Sequence, residues 1–119
     1  MKTTLVLGAS TNAERYAFKA INMLREYGHP VIAMGLKEGR VGDVDIITVM
    51  PEGKTVDTVT LYVGPPRQPG YYDAIMGLKP SRIIFNPGTE NPELRRMAEN
   101  AGIEAVEGCT LVMLTTGMY

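Results

Sequence analysis

The sequence predicts one doubly wound α/β domain with a mostly parallel sheet of about five strands, on the strength of three observations. Short, continuous apolar runs alternate with segments whose apolar residues recur at helical spacing. The runs end in turns rich in glycine, proline and hydroxyl side chains. The 119 residues suffice for one hydrophobic core but not for two, so the whole chain, 1–119, reads as a single domain.

Thr4 to Leu7 is a β-prone run that feeds the small turn Gly8-Ala9-Ser10-Thr11-Asn12. Ala17, Ala20, Ile21 and Leu24 then form one apolar stripe of a helix that Gly28 stops, and Thr11 with Glu14 has the spacing of a capping box. Pro30 to Met34 reads as the second strand, since a buried parallel strand is continuously apolar. Asp45 to Met50 is compatible with a short additional strand. Thr58 to Val63 is the next strand, and the Gly64 to Gly70 segment, with three prolines, can only be a loop at its end.

Tyr72, Ile75 and Met76 give a second helical stripe, closed near Lys79 and Pro80, and Arg82 to Phe85 follows as a strand. The third helix has its limits written into the chain: Asn91 at the N-cap, Pro92 in the first turn, Leu94, Met97, Ala98 and Ala101 on one face, and Gly102 past the end. Ile103 to Val106 is the last strand, and Gly108 to Leu114 reads as a short helix.

Composition narrows the function. Twelve basic and thirteen acidic residues leave a net charge of −1, so no broad positive field is available for a nucleic-acid backbone. One cysteine and one histidine can form neither an internal disulfide nor a zinc set. The apolar start of the chain is too short for a signal peptide or a membrane span, which makes the cytoplasm the expected compartment.

In a doubly wound sheet ligands bind beyond the carboxyl ends of the strands. Four segments are expected to converge there: Gly8 to Asn12, Gly35 to Lys37, Gly64 to Arg67, and Asn86 to Glu90. Glycine lets backbone approach a ligand closely, and free N–H groups at a helix start favour phosphate. Arg15, expected in the first turn of the first helix, opposes the helix dipole there and so reads either as a phosphate ligand or as a solvated side chain paired with Glu14 or Glu90. The first turn lacks the three-glycine dinucleotide fingerprint, and the second strand ends in Met34, Gly35, Leu36 and Lys37 with no acidic residue in the place a conventional NAD site requires. Lys37 suits a phosphorylated ribose better than a free diol.

No catalytic constellation stands out. His29 falls at the opposite edge of the sheet, and Cys109 has no cationic neighbour in sequence to lower its pKa.

The chain resembles the small stand-alone CoA-binding proteins, whose Rossmann-like fold is similar to the CoA-binding domain of the succinyl-CoA synthetase alpha subunit. The resemblance rests on Val6-Leu7-Gly8-Ala9-Ser10 followed by Arg15, on Leu24 to Val31 with Gly28, on Asn86-Pro87-Gly88-Thr89-Glu90-Asn91, and on Ala101-Gly102-Ile103 leading to Cys109. It implies coenzyme A as cofactor, with Gly8, Ser10 and Arg15 cradling the phosphates and Ala9, Thr11 and Asn12 in the same cofactor-binding turn. It also implies Gly35, Leu36 and Lys37 near the adenosine, and Val63, Gly64, Pro65, Asn86, Pro87 and Gly88 along the pantetheine path. The chain differs from the family pattern at Met34-Gly35-Leu36-Lys37, at Gly64-Pro65-Pro66-Arg67 and at Asn86-Pro87.

The expected function is therefore that of a module binding CoA or an acyl-CoA, rather than a self-sufficient enzyme. Two other readings stand beside it: an NAD(P)-linked oxidoreductase-like domain, and a protein–protein module, homo-oligomeric or with another partner, that docks through the apolar tail Leu111 to Leu114 and Met118-Tyr119. A mixed disulfide between Cys109 and the thiol of CoA is a further, weaker expectation.

Overall fold

The computed structural model describes residues 1–119 and builds one seven-stranded sheet covered on both faces by helices. The elements in chain order are β1 (Thr4–Leu7), α1 (Tyr16–Glu26), β2 (Val31–Met34), β3 (Gly39–Val41), β4 (Val44–Ile47), β5 (Thr58–Leu61), α2 (Tyr72–Leu78), β6 (Arg82–Phe85), α3 (Pro92–Asn100), β7 (Glu104–Glu107) and α4 (Thr110–Thr115). Two short 3₁₀ turns, Pro65–Arg67 and Pro69–Tyr71, fill the proline-rich segment before α2.

The strand order is β3-β4-β2-β1-β5-β6-β7, and all neighbours are parallel except β3 with β4. The order reverses at β1: the chain first builds outward through β2, then returns to pair β5 on the other side. This reversal opens the crevice beyond β1. All four residues of β1, β5 and β6 are buried, which explains why these strands are apolar or threonine throughout except at Arg82.

The two strands beyond the expected five are the hairpin β3–β4 between Gly39 and Ile47. Its inner strand runs Val44–Ile47, beginning one residue before and ending three residues before the Asp45 to Met50 expectation. Its outer strand has only Val41 buried, with Arg40 exposed on the edge, so it carries little apolar signal of its own.

One core packs Leu5, Leu7, Val59, Leu61, Ile83 and Phe85 of the sheet under Ile75 of α2 and Leu94 and Ala98 of α3. The other packs Val6, Ala33 and Ile46 under Ala17, Ile21 and Leu24 of α1 and Leu114 of α4. On that second face the central strands turn polar side chains inward. The Thr60 and Thr110 hydroxyls bond at 2.7 Å, and the Arg82 Nε donates to Thr58 Oγ1 at 3.1 Å. Tyr119 closes this end, its ring 4.4 Å from the Arg82 guanidinium and 4.8 Å from the His29 ring. The tail thus packs back on its own body: Leu114 is buried, and of the apolar side chains only Val112 and Met118 remain exposed.

The helix ends follow local chemistry. Asn91 caps α3, its Oδ1 accepting from Glu93 N at 3.0 Å and Leu94 N at 3.3 Å, as the sequence predicts. The expected Thr11–Glu14 capping box does not form. Asn12 Oδ1 accepts from Glu14 N at 3.0 Å instead, a side-chain turn that delays the helix until Tyr16 and leaves Arg15 at its N-cap, outside the first helical turn.

Candidate functional site

The turns that leave β1, β2, β5 and β6 meet in one open cleft of about 810 Å³, within the usual range of small-molecule sites. Of the residues expected from sequence, Gly8, Ala9, Ser10, Thr11, Arg15, Leu36, Lys37, Gly64, Pro87 and Gly88 line it.

Five expected residues do not line the cleft. Asn86 is 2% exposed, donating through Nδ2 to Thr60 Oγ1 at 2.7 Å and Leu61 O at 2.8 Å and accepting from Thr110 N at 2.9 Å. Both amide hydrogens and the amide oxygen are thus engaged in joining β5, β6 and α4. Val63 is buried in the α2/α3 core. Asn12 turns its side chain to the backbone of its own loop. Pro65 begins the 3₁₀ turn, and Gly35 packs beneath the first turn.

Two glycines hold the first turn in place. Gly8 has φ +100°, and a Cβ there would lie 2.8 Å from the Tyr62 carbonyl. A Cβ on Gly35 would lie 2.3 Å from the Ala9 oxygen, a distance no side chain tolerates. Both therefore serve close backbone approach.

The backbone donors of this turn divide into two sets. Gly8 N and Ala9 N both donate to Met34 O at 2.9 Å and are spent on the sheet. The amides of Ser10 and Thr11, and those of Tyr16 and Ala17 at the start of α1, donate to no acceptor in the chain, and all four residues line the cleft. Such unspent donors at a helix start attract an anion.

Side-chain charge adds to this. Arg25, Arg40 and Arg95 each pair with a carboxylate elsewhere on the surface, whereas Arg15, Lys37 and Arg67, which line the cleft, enter no ion pair. Glu14 and Glu38 also line it. Arg67 and Thr89, within the expected Gly64 to Arg67 and Asn86 to Glu90 segments, line it too, whereas Glu14, Tyr16, Ala17, Glu38 and Tyr62 lie outside the segments expected from sequence. Tyr16 is 66% exposed and Leu36 is 71% exposed, so two large apolar side chains stand free at this site. Burial pushes the Tyr62 phenol up to about 12.

Cys109 is half-buried at the N-cap of α4 and does not line the cleft. His29 lies at the opposite edge, its Nδ1 accepting from Lys2 N at 3.1 Å. No group of three metal-ligating side chains gathers anywhere, and no helix is long and apolar enough to cross a membrane.

Residues 2–115 match the CoA binding domain family. The chain is also similar to the crystal structure of an uncharacterized protein, at 50% identity and a TM-score of 0.97, covering 100% of this chain and 98% of that one. At the level of fold alone it is similar to cell-free ID.343 from Thermus thermophilus, with 21% identity, a TM-score of 0.87 and coverage of 99% and 90%. A conserved hypothetical protein from Pyrococcus furiosus is likewise similar in fold, with 24% identity, a TM-score of 0.81 and coverage of 94% and 98%. No curated protein matches the chain. With the family match spanning almost the whole sequence and the Rossmann-like architecture in place, the chain belongs to the CoA binding domain family.

Proposed function

We propose that the cleft beyond β1 binds CoA or an acyl-CoA, in the cytoplasm, as a binding module without catalytic groups of its own. The observation that carries this reading is the set of unspent amides of Ser10, Thr11, Tyr16 and Ala17 beside the unpaired cations Arg15 and Lys37, in a chain of a CoA-binding family. Backbone N–H donors beside cationic side chains suit a ligand that carries phosphates. Arg15 and the α1 start would hold the diphosphate, and Lys37 the phosphate on the ribose. The less charged wall of Tyr62, Gly64, Pro87, Gly88 and Thr89 suits the pantetheine chain, with Arg67 on the same side. What CoA supplies when bound is a thiol or thioester; the chain's own residues bind and orient it.

Glu38 favours a second reading. It lines the cleft one residue beyond Lys37, where a carboxylate could accept from a free ribose diol as in NAD sites. Calorimetric titration with CoA, acetyl-CoA, NAD and NADP in parallel separates the two. CoA binding with no heat from NAD supports the first, and the reverse supports the second.

A further inference from the structure

We propose that Gln68 is a positioning residue that fixes the width of the cleft where the pantetheine chain of CoA lies, an inference that rests on the CoA reading above. The ladder between β5 and β6 ends at Leu61 and Phe85, and beyond it the two chains part to form the cleft. On one side leave Val63, Gly64 and the turn Pro65–Arg67; on the other leave Pro87, Gly88 and Thr89.

Gln68 spans that gap from beneath. It is wholly buried, at 0% exposure, although a glutamine side chain at this depth is stable only when its amide is fully bonded. Its Nε2 donates to Val63 O at 2.9 Å and to Thr89 O at 2.8 Å, so both amide hydrogens are used, one on each wall. Its Oε1 accepts from Asn91 Nδ2 at 2.9 Å, and that same nitrogen reaches Tyr72 Oη at 2.8 Å. Every hydrogen bond between residues 63–68 and residues 87–91 runs through this one amide. Gln68 does not line the cleft and touches no ligand directly; it acts through the backbone of Val63 and Thr89.

The two halves of CoA report on the two ends of the cleft separately. The phosphates belong with Arg15, Lys37 and the free amides near β1 and β2, remote in connectivity from Gln68. The neutral pantetheine chain, with its two amide groups, belongs with the wall that Gln68 spaces. Loosening that wall should therefore weaken CoA while sparing a ligand that lacks pantetheine.

The test compares wild type and Gln68→Met, which keeps the length of the side chain and removes its donors, for affinity toward CoA and toward adenosine 3′,5′-bisphosphate. The expected result is a loss of about tenfold for CoA with the bisphosphate changed by less than about twofold. Equal losses for both ligands, or unchanged CoA affinity, would overturn the positioning role. If wild type binds neither ligand, it is the CoA reading that fails. Should the variant not fold, the wild-type side-chain amide resonances of Gln68 decide: CoA shifts them and the bisphosphate does not. Resonances indifferent to CoA contradict the proposal.

Discussion

Replacing Asn86 by leucine separates a structural asparagine from a ligand-binding one. The side chain is 2% exposed and makes three hydrogen bonds, two as donor to Thr60 Oγ1 and Leu61 O and one as acceptor from Thr110 N. Leucine has a similar size and can make none of them. Thr60 Oγ1 keeps its partner in Thr110 Oγ1, so the lasting damage falls on Leu61 O and Thr110 N. Each buried group left unpaired costs about 1–3 kcal/mol, giving about 2–6 kcal/mol in all. For a domain of this size that corresponds to a fall in Tm of about 8–24 °C. Urea denaturation followed by circular dichroism measures it directly, with the slope unchanged and the midpoint lowered. A loss below about 1 kcal/mol would refute the reasoning, because the three bonds would then be worth no more than their replacement by water. Unchanged stability with abolished CoA binding would refute it differently, returning Asn86 to the ligand.

Further outcomes follow from the same structure. Gly35→Ala places a methyl 2.3 Å from the Ala9 oxygen, so the first turn must shift. Ligand affinity should fall together with stability, the latter by about 1–3 kcal/mol, in titration and thermal melting. The His29 imidazole is held below its ordinary pKa, by burial first and then by the positive charges of the N-terminal amine, Lys2 and Arg82. The folded state thus binds fewer protons than the unfolded state just below the unfolded pKa, so this contribution is complete above about pH 6.5 and is lost as pH falls through the folded value. Urea midpoints measured from pH 8 down to pH 5 should decline more steeply for wild type than for His29→Gln. Parallel declines would exclude the histidine as the cause.

Where chain and structure agree, the deciding chemistry is local. Asn91, Pro92 and Gly102 mark the ends of α3 by capping and turn preference, which neighbours in sequence suffice to express. The convergence of four turns on one edge was legible because parallel strands joined by helices leave no other place for them. The rest depended on contacts between distant residues. Gly39–Val41 is too short and too exposed to announce a strand, and it exists because Val44–Ile47 pairs with β2. The start of α1 differs from the sequence expectation because Asn12 Oδ1 takes the Glu14 amide and holds the chain in a turn up to Arg15. Side-chain direction was the least legible part of the site. Asn86 sits in a turn whose neighbours line the cleft, yet Thr60 and Thr110, 26 and 24 residues away in sequence, draw its amide inward. Glu38 and Tyr16 escaped notice because each follows a predicted residue and is brought round to the cleft by the bend of its loop.

The central claim is that Arg15 and the free amides around it receive the phosphates of CoA. Its most direct test is calorimetric titration of CoA into wild type and Arg15→Ala, after removal of any copurified ligand. Losing one charge-assisted contact costs about 1.5–3 kcal/mol, so the account predicts that wild type binds CoA and that the variant binds about ten- to a hundredfold more weakly with its melting temperature unchanged. Equal affinity in the two proteins, or no CoA binding by wild type, would contradict it.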